Sequence, residues 1–117
     1  MPRRPEELLG DVLAAVAAIR AYTREGKRAF LHNPMARDAV IARILQIGEA
    51  VKAAQAGGLE LERLAPEVPW PQIAGMRDVL SHQYWRTDPE IVWAVVEKDL
   101  KPLAAAIRRI RRRRQPT

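Results

Sequence analysis

Residues 75–84, Gly-Met-Arg-Asp-Val-Leu-Ser-His-Gln-Tyr, place a guanidinium, a carboxylate, a hydroxyl, an imidazole and a phenol within about two helical turns, roughly 10 Å of axis. That density of polar function among apolar neighbours calls for an explanation. Asp78 and His82 are four residues apart. If a helix persists through His82, this spacing lets the carboxylate hydrogen-bond one imidazole nitrogen, which orients the ring and favours its charged form. Arg77 and Tyr84 are seven apart and share a helical face, where a guanidinium fork and a phenol can engage one phosphate. His82 lies roughly 140° around the helix from Arg77, so the two converge best where the helix ends or meets a partner.

An imidazole and a guanidinium are the groups that RNA cleavage without a metal requires. A base takes the proton of the 2′-hydroxyl, an acid protonates the leaving 5′-oxygen, and a cation stabilises the pentacoordinate phosphate. One histidine cannot stand on both sides of the phosphorus. The other, His32, is fifty residues away in a segment read as an exposed loop. The chemistry therefore calls for a homodimer in which two copies of residues 77–84 face each other across a groove. The alternative reading of Arg77, Asp78 and His82 is a hydrogen-bonded surface network at a helix end, with Tyr84 packing beside it.

Other chemistries find no support. The chain has no cysteine, so it has no disulfide, no thiol nucleophile and no thiolate zinc site, and a cytoplasmic location is the default expectation. There is no paired-histidine metal motif and no serine elbow, and no metal or cofactor is expected. Gly57-Gly58 follows a helix and lacks the lysine and hydroxyl of a phosphate loop, so it reads as a turn. No apolar run is long enough to span a bilayer, and Glu6, Glu7 and Asp11 interrupt any signal-peptide core near the N-terminus.

The 117 residues suit one domain, placed at 1–110 and followed by a basic tail at 111–117. The net charge of +6 is concentrated in the last ten residues, across that boundary: Arg108, Arg109, Arg111, Arg112, Arg113 and Arg114 supply the entire excess of basic over acidic residues. Arg111, Arg112, Arg113 and Arg114 are candidate RNA contacts, since cations gather a polyanion by releasing its counterions. The other reading of this run is a solvated helix end whose cations suit the negative end of the helix dipole.

The elements that must position these groups are all helical. Pro5-Glu6-Glu7 begins a first helix, and Leu9, Val12, Leu13, Val16, Ile19 and Tyr22 continue it to about Arg24, with Gly26 at its end. Asn33-Pro34 caps a second, striped by Val40, Ile41, Ile44, Leu45, Ile47 and Val51 and stopped at Gly57-Gly58. Residues 59–69 read as a connector with one helical turn. A third helix runs from about Pro71 to Tyr84, and Asp88-Pro89 caps a fourth that Pro102 bends or restarts before Leu103, Ile107 and Ile110. The expectation is an all-α, antiparallel bundle of four to five helices.

RDVLSHQY at 77–84 fits the R-x4-H-x-Y signature of HEPN domains. Together with IGEA at 47–50, Trp70, IAGMRD at 73–78 and IVW at 91–93, it makes the chain resemble the HepT-like proteins of that group from its first helix to Leu103. The resemblance implies a homodimeric HEPN bundle whose paired motifs form one RNA-cleaving cleft, with Arg77 and His82 catalytic. HEPN motifs often carry asparagine after the arginine. Asp78 stands there instead, where it strengthens the histidine's charge and brings a negative charge near the scissile phosphate. The resemblance further implies a toxin of a type VII-like toxin–antitoxin pair, cutting tRNA or mRNA. Its partner would be a minimal, MntA-like nucleotidyltransferase antitoxin that neutralises it by transferring AMP to Tyr84. The alternative is a noncatalytic subunit that presents a nucleotide or substrate to that nucleotidyltransferase.

Overall fold

The computed structural model describes residues 3–83 and 88–114, with side chains described for 3–76 and 88–114. Every regular element among the described residues is a helix: α1 (Pro5–Tyr22), α2 (Lys27–Leu31), α3 (Pro34–Ala56), α4 (Leu61–Leu64), α5 (Trp70–Gln83), α6 (Pro89–Lys98) and α7 (Leu100–Arg114). The count exceeds the four or five expected because α2 and α4 are single short turns of five and four residues.

Local chemistry sets the boundaries. Asn33 begins α3 by accepting from the Ala36 N–H at 3.1 Å, and Pro34 occupies the first turn, where its missing donor costs nothing. Asp88 does the same for α6 through the Glu90 N–H at 2.9 Å, again followed by proline. At the end of α3, Gly58 takes φ +98°, a left-handed conformation, while the Leu59 and Gly58 N–H groups return to the Ala54 and Gln55 carbonyls at 3.0 Å. Helix α1 stops at Tyr22, short of the expected Arg24, and the Thr23 hydroxyl donates to the Ile19 carbonyl at 2.8 Å.

Pro102 acts earlier in the chain than expected. Its ring cannot coexist with a helical carbonyl four residues back, at Lys98, and α6 ends at Lys98. Helix α7 restarts at Leu100, so Pro102 falls in its first turn.

The core sits where α3, about 35 Å long, meets its neighbours. Helices α1 and α5 pack against α3, α7 packs against α1 and α6, and α2 bridges α3 and α6. Helix α1 runs antiparallel to α3: Leu8 faces the groove shared with Ala50 and Ala53, whereas Tyr22 accepts a bond from Arg43 at 3.3 Å. Helix α7 returns along α1, its last residue Arg114 reaching Glu6 at 3.0 Å. Leu9, Val12, Val16 and Ile19 of α1 meet Val40, Ile41, Ile44, Ile47 and Val51 of α3 and Leu103, Ile107 and Ile110 of α7, all buried. Each such side chain contributes about 1.5–3 kcal/mol through apolar burial. Trp70 opens α5 fully buried, and its indole N–H donates to the Ala65 carbonyl at 2.8 Å. This bond ties the start of α5 to the connector before it.

Candidate active site

Helix α5 is continuous from Trp70 to Gln83, so Arg77, Asp78 and His82 share one helix and the condition for the Asp78–His82 spacing holds in the backbone. The side chains of Arg77, Asp78 and His82 lie outside the described residues, and Tyr84 lies outside them altogether. The described atoms define how this helix is held and what adjoins it. Trp70 and Ile73 are buried and anchor its first turns against the core.

Beside the motif lies an apolar groove of about 340 Å³, lined by Ile44 of α3, Gln72, Gly75 and Met76 of α5, and Ile91, Val92 and Val95 of α6. Met76 immediately precedes Arg77. A Cβ placed at Gly75 would meet no atom within 4 Å, so this part of the groove is open. Ile91 at its edge is 61% exposed, one of three large apolar side chains exposed among the described residues. Ile91 falls in the apolar pattern Ile91, Val92, Val95 and Val96 of α6, but only Val92 of that helix is fully buried.

A second groove, of about 500 Å³ between α1 and α3, has an apolar floor at Leu8, Ala50 and Ala53 and carries charges of both signs from Arg3, Asp11, Arg43 and Glu49. The Arg43 guanidinium donates to Gln46 Oε1 and to the Tyr22 hydroxyl, each at 3.3 Å, and lies 6.0 Å from the Tyr22 ring centre. Among the described residues no group of three histidine, cysteine, aspartate or glutamate side chains could hold a metal ion. His32 is exposed, as expected, with its Nδ1 2.9 Å from the Arg28 carbonyl.

The tail arginines begin inside α7, which continues to Arg114. Two cations of this helix are already paired. Arg109 meets Glu67 at 2.5 Å, and Arg114 donates from Nε and Nη2 to Glu6 Oε1 at 3.1 and 3.0 Å. The Arg109 guanidinium holds the Glu67 carboxyl below the usual carboxylate range, assisted by Glu67's own backbone N–H. Glu6 is held low first by its own backbone N–H at the start of α1 and then by Arg114. These exposed pairs position the helix end more than they stabilise the fold. Sequence reasoning missed both partners, which stand 42 and 108 residues from their arginines. No described helix is long and apolar enough to cross a membrane.

Comparison with known proteins gives a consistent picture. Residues 12–110 match the family described as HepT-like, Ribonuclease HepT-like. The chain is 34% identical to "Probable ribonuclease HepT" of Thermococcus cleftensis, over 96% of this chain and 100% of that protein. It is 30% identical to "Putative RNase MJ0125" of Methanocaldococcus jannaschii, over 94% of each. No solved structure matches.

Proposed function

Because this chain belongs to the HepT-like ribonuclease family, we propose that it is a metal-independent endoribonuclease whose working groups are Arg77 and His82. The observation that carries the reading is the continuous α5, which sets a guanidinium, a carboxylate and an imidazole at 77, 78 and 82 on one anchored helix. His82 takes the proton from the 2′-hydroxyl, and the 2′-oxygen attacks phosphorus. The bond from phosphorus to the 5′-oxygen breaks, and that oxygen receives its proton from His82 of a second copy. Arg77 binds the equatorial oxygens as charge gathers on them. Asp78 orients the imidazole. The products are a 2′,3′-cyclic phosphate and a 5′-hydroxyl.

The second copy is part of the proposal, since one histidine serves one side of the phosphate. The apolar groove at Gly75, Met76 and Ile91 supports it, because a copy seated there covers exposed apolar surface next to Arg77.

The protein acts as the cytoplasmic toxin of a type VII-like toxin–antitoxin pair, cutting tRNA or mRNA. A minimal nucleotidyltransferase antitoxin neutralises it by transferring AMP to Tyr84. The transferred phosphodiester brings an anion and a bulky nucleoside to a residue two positions beyond His82, which obstructs the approach of RNA. One experiment tests both halves. Wild-type protein should cut RNA, then gain one or more AMP units and stop cutting after incubation with the antitoxin, ATP and magnesium. Tyr84→Phe should resist modification and keep cutting under the same treatment. Equal AMP addition to both, read by intact-protein mass spectrometry, removes Tyr84 from the scheme. RNA binding without cleavage by unmodified wild type would favour the noncatalytic subunit.

A further inference from the structure

The basic end of the chain is not a shapeless tail, because α7 gives its cations an order. Lys101, Arg108 and Arg112 are exposed and fall at i, i+7 and i+11. That spacing puts them within about 40° of one another around the helix and along roughly 17 Å of its axis. Arg111 and Arg113 flank this line. The opposite face, with Leu103, Ile107 and Ile110, is buried against the bundle, so the line points outward. Arg109 and Arg114 are already held by Glu67 and Glu6, and Arg113 adds its charge to the field on Glu67, whereas Lys101, Arg108, Arg111 and Arg112 have no carboxylate partner among the described residues. From Leu100 to the C-terminus the sequence contains no acidic residue.

We infer that this outward face of α7 is a second RNA-binding surface, a rail that holds the sugar-phosphate backbone of the substrate away from the cleavage motif. Two features select a polyphosphate over an acidic protein. The face carries no large exposed apolar side chain, whereas protein interfaces bury an apolar centre. Arginine-rich, strongly basic surfaces are the mark of nucleic-acid contacts. The Arg109–Glu67 pair ties α7 to the chain just before α5, the end of that helix farther from the motif. His82 lies roughly 18 Å along α5 from Trp70, so RNA on the rail reaches the motif only by extending along the protein. The rail thus favours long substrates without reading their sequence. RNA as the occupant rests on the ribonuclease reading above, but the rail itself is read by binding and not by cleavage.

The test uses the full-length chain in a His82→Ala background, with a fluorescein-labelled 30-nucleotide single-stranded RNA titrated across a range of salt concentrations. Lys101→Gln/Arg108→Gln/Arg112→Gln should bind roughly tenfold or more weakly near physiological salt and lose about 2 units of the log–log salt slope, at about 0.7 per displaced contact. Arg24→Gln/Arg28→Gln/Lys52→Gln removes the same charge from exposed positions elsewhere and should keep the slope within about 0.5 units. Equal losses in the two triple variants, or an unchanged slope in the first, would overturn the rail. So would polyglutamate displacing the RNA as effectively as polyuridylate at equal charge. Cleavage failing in wild type while the first variant still loses slope would sink the nuclease reading alone.

Discussion

His82→Ala is expected to slow RNA cleavage by about 100-fold to 10,000-fold, the range supplied by one positioned general acid–base group. In the proposed dimer the substitution removes the base on one side of the phosphate and the acid on the other, so the larger figure is the better expectation. The fold should survive. The described anchors of α5 are Trp70 and Ile73, more than two turns upstream of His82, and α6 is started independently by its Asp88 cap. Helical circular dichroism and the melting temperature should stay close to wild type, which separates lost chemistry from lost structure. A His82→Ala protein that cuts at the wild-type rate would take the histidine out of the mechanism.

Trp70→Ala should be the most damaging single change to the scaffold, at about 3–5 kcal/mol. The indole is fully buried, and its N–H donates to the Ala65 carbonyl, so truncation leaves a cavity and removes one of the two hydrogen bonds to that carbonyl, which keeps the Val68 N–H at 3.2 Å. For a domain of this size that corresponds to a fall in melting temperature of roughly 10–20 °C. Trp70→Phe keeps a six-membered ring but loses the donor and the rest of the indole, and should cost less, about 1–2 kcal/mol. Because Trp70 begins the helix that carries Arg77 and His82, the alanine variant should also cut RNA more slowly at temperatures where it remains folded. A loss of under about 1 kcal/mol on thermal or denaturant melting would contradict the anchoring role given to this residue.

The parts of the fold that are written in neighbouring residues were legible in the sequence. Asn33-Pro34 and Asp88-Pro89 cap and start their helices within four residues, and the stripes of α1 and α3 need only a 3.6-residue period. Helix α2 was not legible because it has five residues and buries only Phe30, too few to show a period. That phenylalanine earns its place through a ring contact with Trp93, 5.5 Å away in α6, which no local pattern announces. Pro102 was recognised as a break, but its effect reaches back to Lys98 through the i−4 carbonyl, so the interruption precedes the proline itself.

The candidate site divides in the same way. That Arg77, Asp78 and His82 share a helix follows from their spacing. The groove beside them does not, because its walls come from three helices and Ile91 reads as a core residue until the neighbouring packing is known. The ion pairs that hold Arg109 and Arg114 are equally hidden, since nothing in a run of arginines says which carboxylate will stand opposite.

The most direct test of the central claim, cleavage by side chains alone at Arg77 and His82, is the chemistry of the cut ends. Purified wild-type protein should cleave RNA in the presence of excess EDTA and leave a 2′,3′-cyclic phosphate and a 5′-hydroxyl, identified by mass spectrometry of the fragments. Cleavage that appears only when magnesium is restored, or that leaves a 3′-hydroxyl and a 5′-phosphate, would contradict it.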